Sequence, residues 1–187
     1  VINNIIPRVQ PDLIHCNDWM TGLIPAMARQ HEIPCLFTIH NIHTVQLPLD
    51  YIEDRGIDAA SFWQYLFYDH YPSGYEQVRE NHLVDFLVSG VFAAHFVNTV
   101  SETFLEEIVS GQHSFIKESL RRELAGKYEA GCAAGIINAP DATFDPESDR
   151  RLKYKYDAGT HVEGKKENKR ALQSALGLIE NENAPLF

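Results

Sequence analysis

The chain contains no window of about 18 consecutive apolar residues, which excludes a membrane-spanning helix of ordinary length. Its first residues, VINN, include no basic stretch followed by an apolar one, so they do not indicate a secretory signal. They also lack an initiator Met, and we therefore expect the chain to begin inside a longer protein. Neither G-x-G-x-x-G nor G-x-x-x-x-G-K occurs. If a nucleotide binds, its phosphates must be held by groups outside this chain.

Positive charge is also scarce, since 16 Lys and Arg residues face 26 Asp and Glu residues and the formal net charge is −10. Non-specific binding to nucleic acids or anionic lipids requires clustered positive charge. We therefore expect neither nucleic acid nor membrane as a partner. The basic residues that do cluster, between Arg150 and Arg170, alternate with acidic ones. This pattern favours a solvated helical face over a nucleic-acid site.

Cysteine occurs only three times, at Cys16, Cys35 and Cys132, each within or beside an apolar run. An odd number of widely spaced thiols indicates buried, reduced side chains and a cytoplasmic location. A metal site at His40 and His43 would need a second ligand pair at a recognisable spacing, and none occurs. We expect neither a metal ion nor a cofactor.

The 187 residues, of which 44% are hydrophobic and 22% charged, have the composition of an ordinary globular protein. Short apolar runs alternate with helical periods, which predicts an α/β fold: a Rossmann-like parallel sheet with flanking helices. The predicted strands are 13–16, 35–39, 96–100 and 133–137. The predicted helices are 22–29, 83–94, 102–109, 114–124 and 163–176, with Ser101 and Ser114 as amino-terminal caps and Gly126 and Gly177 as carboxyl-terminal stops.

Polar residues follow the ends of three predicted strands. Asp18 and Trp19 follow the first, His40 and Asn41 the second, and Asn138 the last. Carboxyl ends of parallel strands meet at one rim, where open α/β sheets bind ligands. We therefore expect these residues to border a common hollow. A carboxylate, an indole, an imidazole and amides suit a polyhydroxylated ligand, which needs donors, acceptors and an apolar stacking surface.

Some of these residues also have a structural interpretation. Asp18 lies at a strand-to-helix junction, where aspartate commonly caps the helix that follows. Trp19 is equally consistent with core packing. His15, inside the first predicted strand, is more typical of a structural histidine than of a ligand-binding one.

Residues 43–81 form a long excursion between two elements of the sheet, and its aromatic residues are Tyr51, Phe62, Trp63, Tyr65, Phe67, Tyr68, Tyr71 and Tyr75. Excursions of this length usually serve as a lid, a binding loop or an interface. Two interpretations are open. The aromatic residues either bury one another in a small subdomain or form a surface that stacks on carbohydrate or a partner.

Several motifs occur in a characteristic order: Pro11-Asp12-Leu13-Ile14-His15-Cys16-Asn17-Asp18-Trp19, Phe37-Thr38-Ile39-His40-Asn41, Thr99-Val100-Ser101, Gly135-Ile136-Ile137-Asn138, and Gly164-Lys165 with Asn168-Lys169 and Leu172-Gln173. Together they resemble the bacterial glycogen synthase and plant starch synthase family, and the resemblance spans nearly the whole chain. It implies a two-domain glycosyltransferase of GT-B architecture. Such an enzyme transfers glucose from ADP-glucose to the 4-hydroxyl at the non-reducing end of an α-1,4-glucan, with retention of configuration and without a metal.

The resemblance also implies an organisation and a site. Residues 1–149 would be part of the amino-terminal Rossmann-like domain, and residues 150–187 a linker and helix leading into an absent second domain. His40 would be catalytic, and the substrate-binding residues would be Asp18, Trp19, Asn41 and Asn138. The family's phosphate-binding groups would lie outside the chain, so we expect the isolated chain to be inactive. A truncated sheet also leads us to expect self-association.

Several positions depart from the family pattern, including Glu102, which stands where a proline often follows Thr-Val-Ser. The aromatic excursion is also longer than the common bacterial form. Asn17 replaces a histidine, Val88 replaces a lysine, and Asn138-Ala139-Pro140-Asp141 replaces Asn-Gly-Ile-Asp. These changes indicate a divergent branch and leave two alternatives open. One is a non-catalytic glucan-binding module, and the other is a GT-B transferase with a different sugar donor.

Overall fold

The computed structural model describes residues 1–186, which form two compact units; the first is Val1–Asn138 and the second begins at Ala139. The strands are β1 (Ile14–Asn17), β2 (Cys35–Ile39), β3 (Gln46–Leu47), β4 (Val84–Asp85), β5 (Phe96–Thr99) and β6 (Ala133–Gly135). Four of them form a parallel sheet in the order β1-β2-β5-β6. The predicted α/β fold with a parallel sheet is therefore confirmed, and β2 has the predicted bounds.

The helices are α1 (Ile6–Val9), α2 (Ile24–Ala28), α3 (Leu49–Glu53), α4 (Tyr75–Arg79), α5 (Phe86–Ala93), α6 (Glu102–Val109), α7 (Glu118–Glu129) and α8 (His161–Ala175). Ser101 caps α6 as predicted, because its hydroxyl accepts the N–H of Phe104 at 3.1 Å. Gly177 ends α8 as predicted: it has a φ of +66°, and its N–H bonds the carbonyl of Ser174.

The predicted bounds of α7 were wrong. Ser114 lies before the helix, and Gly126 lies inside it rather than at its end. The stop is Gly131, which has a φ of +68°. The N–H of Gly131 bonds the carbonyl of Tyr128, and the N–H of Cys132 bonds that of Lys127, so the last carbonyls are satisfied there.

Alternation along the strands gives the sheet two different faces. Cys16, Phe37 and Val97 lie on one face and are almost fully buried. They pack with apolar residues of α5, α6 and α7 in one core. The contact with α5 is close: a Cβ on Gly90 would lie 2.6 Å from the Phe37 ring. This face therefore carries the main core of the first unit.

The opposite face carries a polar ladder across three strands. Thr38 Oγ1 donates to Asn98 Oδ1 at 2.6 Å, and His15 Nε2 lies 2.7 Å from Thr38 Oγ1. Because the hydroxyl proton of Thr38 is engaged by Asn98, His15 Nε2 is the donor in the second bond. The ladder links β1, β2 and β5, and His15 has the structural role expected of it.

The excursion is closed at its base by an antiparallel pairing of β3 with β4. It shares a second core with α2 and α5, in which the buried residues are Leu23, Ala26, Leu49, Ile52, Ala59, Phe62, Leu66, Val78, Val84 and Ala93. Trp63 stacks on Tyr71, with ring centroids 6.1 Å apart, and accepts the hydroxyl of Tyr68 at its carbonyl. The structure thus favours burial of the aromatic residues over a stacking surface, but in a core shared with α2 and α5 rather than in a separate subdomain. Tyr71 remains 63% exposed.

In the second unit, a turn-rich segment precedes α8. The segment after the helix folds back on it, because the Gln173 amide exchanges hydrogen bonds with the backbone of Asn181. Basic residues of α8 pair with acidic ones, including Lys166 with Glu182 at 2.7 Å. The division into a domain up to residue 149 and a linker and helix from residue 150 stays a prediction. None of the helices within residues 1–186 combines the length and apolarity needed to cross a bilayer.

A test of the packing around α5 uses Gly22. A Cβ on Gly22 would lie 2.0 Å from the carbonyl oxygen of Phe86, which is backbone and cannot rotate away. We expect Gly22→Ala to lower the free energy of unfolding by about 1–3 kcal/mol. Gly126→Ala is the matched control, because nothing lies within 4 Å of its added Cβ, and it should raise stability by about 0.5–1 kcal/mol. Urea unfolding measures both, and equal stability of Gly22→Ala and wild type would contradict this packing.

Candidate functional site

The backbone is strained where β1 ends. Asp18 has φ 55° and ψ 178°, a region that is essentially restricted to glycine. Such a conformation costs about 1–3 kcal/mol and persists only where the surroundings enforce it. The side chain of Asp18 is buried, with 7% exposure. Strain of this kind clusters at functional sites, so it makes the end of β1 the first candidate.

The buried carboxylate of Asp18 binds the end of the neighbouring strand. Its Oδ1 accepts the backbone N–H of His40 at 2.7 Å and that of Asn41 at 3.4 Å. The N–H of Asp18 itself donates to the carbonyl of Thr38. Asp18 makes no side-chain cap to the turn that follows it. The capping interpretation was therefore wrong, because the acceptor is engaged by backbone donors of the loop that follows β2.

His40 is exposed, and its ring is oriented by the residue before Asp18. Its Nε2 lies 3.0 Å from Asn17 Oδ1. An amide oxygen can only accept, so Nε2 carries the proton and the neutral imidazole has Nδ1 as an acceptor. Nδ1 makes no hydrogen bond to any other residue that the structure describes. The imidazole therefore offers an unpaired edge, held by an amide at its other nitrogen.

Asn41 and Trp19 frame this histidine in different ways. Asn41 Oδ1 accepts the N–H of His43 at 2.9 Å, an Asx turn that fixes the chain after β2 and leaves the Asn41 NH₂ group available. Trp19 is half-buried and packs against the apolar core of the first unit. The indole therefore contributes to packing, as one interpretation of the sequence predicted.

Asn138 is placed differently from the other candidates. It is exposed and follows β6, which is separated from β2 by β5 in the sheet. Within residues 1–186 it forms no hydrogen bond with Asp18, His40 or Asn41. The structure thus links Asp18, His40 and Asn41 directly, whereas a hollow shared with Asn138 stays a prediction.

Sequence reasoning overlooked Asp85. This buried aspartate caps α5 by accepting the N–H of Leu87 and of Val88, and it also accepts the Thr44 hydroxyl at 2.7 Å. The sequence did contain a sign of this role: an aspartate directly before the apolar run Phe-Leu-Val is typical of a helix amino-terminal cap. The predicted helix over 83–94 placed this residue inside the helix instead.

Chemically, the arrangement offers hydrogen bonds and one imidazole. The charge of Asp18 is engaged by backbone N–H groups, and no cation is bonded to Asp18, His40 or Asn41 within the described chain. Among residues 1–186, no group of three or more His, Cys, Asp and Glu side chains is placed to hold a metal ion. The site can therefore orient hydroxyls and donate or accept protons, but it cannot neutralise a phosphate.

Removing the carboxylate tests whether Asp18 holds the end of β2. We expect Asp18→Ala to lower stability by about 1–3 kcal/mol, because it leaves two backbone donors without their acceptor. Hydrogen exchange at the His40 and Asn41 amides should accelerate. Asp18→Asn keeps an acceptor oxygen and a residue tolerant of positive φ, so exchange should stay near that of wild type. Unchanged exchange at both amides in Asp18→Ala would refute the assignment.

Comparisons with known proteins agree with this fold. A family model described as the starch synthase catalytic domain matches residues 1–123. The chain is 35% identical to a glycogen synthase from Exiguobacterium sibiricum, over 100% of the chain and 38% of that protein. It is 34% identical to a glycogen synthase from Cellvibrio japonicus, over 95% of the chain and 34% of that protein. The chain thus spans little more than a third of the length of these relatives.

A solved structure is also similar to this chain. It is the catalytic domain of starch synthase IV from Arabidopsis thaliana, bound to ADP and acarbose. The match has a TM-score of 0.68 and 23% identity, and it covers 97% of this chain and 36% of that one. At that identity the match shows the shared fold, here part of a GT-B catalytic domain. On the family model and these relatives, the chain belongs to the glycogen and starch synthase family.

Proposed function

We propose that the complete protein transfers glucose from ADP-glucose to the non-reducing 4-hydroxyl of an α-1,4-glucan, with retention of configuration. This chain would supply part of the amino-terminal half of the catalytic cleft. Membership of the glycogen and starch synthase family supports the reaction. The observation that carries the site is the bond from the strained, buried Asp18 to the backbone of His40, at the carboxyl ends of two adjacent parallel strands.

The reaction explains why such residues are needed. Cleavage of the bond to diphosphate builds positive charge on the glucosyl ring and negative charge on the departing phosphate. Oriented dipoles can stabilise the ring, and cations are needed at the phosphate. We assign His40 as the catalytic residue at the ring. Asp18 borders the same site and orients His40, and the proposed sugar contacts are Trp19, Asn41 and Asn138.

None of these five side chains can neutralise the departing diphosphate. We therefore infer that cations from the rest of the complete protein do so, and that the isolated chain is inactive. The free thiols at Cys16, Cys35 and Cys132 support a cytoplasmic setting for the protein.

The decisive experiment is turnover of ADP-glucose with glycogen by the complete protein. We expect His40→Ala to lower kcat by a factor on the order of 10²–10³, the size of effect seen when one preorganised polar group is removed from a transition state. His43→Ala is the matched control, an exposed histidine on the same loop that should retain activity. The isolated chain should show no turnover.

Two outcomes would overturn this proposal. Wild-type kcat in His40→Ala would show that His40 is not catalytic. Robust synthesis by the isolated chain would show that it needs no cations from the rest of the protein. A parallel assay with UDP-glucose tests the donor. Faster turnover of UDP-glucose than of ADP-glucose would replace the proposed donor while leaving the role of His40 intact.

We also propose that the isolated chain self-associates through the less covered face of its sheet. Strand alternation places Phe96 on that face with 53% exposure, Ile136 directly after β6 is 57% exposed, and β1 lies at a sheet edge. Light scattering of the isolated chain should show oligomers that dissociate in a Phe96→Lys, Ile136→Lys variant. Phe144→Lys, at an exposed aromatic residue of the second unit, is the control. A monodisperse wild-type monomer at high concentration would refute self-association.

A further inference from the structure

We propose that Asp85 is a positioning residue for glucosyl transfer, which fixes the far end of the loop that carries His40 and Asn41. This inference rests on the function proposed above. Asp85 lies at the end of β4 and is 6% exposed. It is distant in sequence from His40, and its carboxylate joins three parts of the first unit.

One oxygen of the carboxylate binds the loop and the start of α5. Oδ1 accepts the Thr44 hydroxyl at 2.7 Å, the N–H of Leu87 at 3.1 Å and the N–H of Val88 at 3.2 Å. The oxygen of the Thr44 hydroxyl also accepts the N–H of Leu87 at 3.1 Å. Thr44 is therefore bonded to both the cap of α5 and the helix that it caps.

The other oxygen binds the next residues of the loop and the start of α7. Oδ2 accepts the Gln46 amide at 3.1 Å and the Lys117 ammonium at 2.8 Å. The backbone N–H of Phe86 adds a bond to the carbonyl of Val45. The chain from Thr44 to Gln46 is thus fastened at every residue to the region around Asp85.

Only residues 41–43 separate this fastened stretch from His40. At its other end the loop is held by Asp18, which accepts the N–H of His40. Between the two fixed ends, residues 41–43 form an Asx turn, in which Asn41 Oδ1 accepts the N–H of His43. A short loop fixed at both ends keeps its imidazole in one place, and catalytic groups require placement of this accuracy.

The charge on Asp85 is what makes these bonds possible. Burial tends to raise the pKa of Asp85, but the Lys117 ammonium, the Thr44 hydroxyl and the N–H of Val88 outweigh it. The pKa therefore lies below its ordinary value, and the carboxylate is ionised at neutral pH. An amide at this position would present an NH₂ group to the Lys117 ammonium and the Gln46 amide, which are themselves donors.

The alternative is that Asp85 serves only as a cap of α5. In that case its replacement would lower stability and leave catalysis intact at temperatures well below unfolding. Asp85→Asn in the complete protein separates the two roles. We expect kcat to fall about tenfold or more, because small displacements of a catalytic group are costly. The KM for ADP-glucose should change by less than about twofold, since the lost interaction acts on the transition state.

The matched control is Ser101→Ala, which removes the side-chain cap of α6. It should lose stability in the same way and keep its kcat. Thr44→Val is a milder second variant: it removes one hydroxyl from the loop and leaves Asp85 paired with Lys117. It should lower kcat in the same direction, and it keeps the test decisive if Asp85→Asn does not fold.

A double-mutant cycle shows whether Asp85 acts through His40. In a His40→Ala background, Asp85→Asn should change kcat by less than about twofold, because the group that it positions is absent. Full, multiplicative losses from the two substitutions would refute positioning, as would wild-type kcat in Asp85→Asn. If His40→Ala alone leaves kcat unchanged, the failure belongs to the proposed function. The two ideas therefore fail in distinguishable ways.

Discussion

The hydrogen bond from the His40 backbone to the Asp18 carboxylate is the interaction on which the candidate site depends. It joins the ends of two parallel strands by a charge-assisted bond of 2.7 Å in a buried position. The bond also offers a physical reason for the unfavourable backbone angles of Asp18, because that conformation delivers the carboxylate to the donors that directly follow β2.

The sequence was informative where structure is determined locally. The run Cys35–Ile39 combines apolar and β-branched residues, and it forms a strand with the predicted bounds. Ser101 followed by Glu102 marked the start of α6, because a helix cap and an acidic first turn are also local features of the sequence. Grouping His40 with Asp18 was also accessible, because strand order alone brings consecutive parallel strands to one rim.

The features that sequence reasoning missed depend on residues far apart in the chain. Asp18 resembled a helix cap, but its donors lie in the loop directly after β2, and only the folded sheet brings them within reach. Asp85 gathers donors from Thr44 to Lys117, a set that no local window contains. The end of α7 was misplaced because two glycines were available, and only one of them takes a positive φ.

The departure at Asn17 becomes intelligible in this setting. A histidine there, as the family resemblance implies, could take up a proton, whereas an amide cannot. Asn17 Oδ1 nevertheless accepts from His40 Nε2 and so determines which nitrogen carries the proton. The neighbouring residue thus supplies orientation without adding charge beside His40. Asp18 and Asp85 are both buried carboxylates whose hydrogen bonds hold the loop around His40. In the proposed reaction, the unpaired edge of the imidazole is therefore the group available to the glucosyl ring.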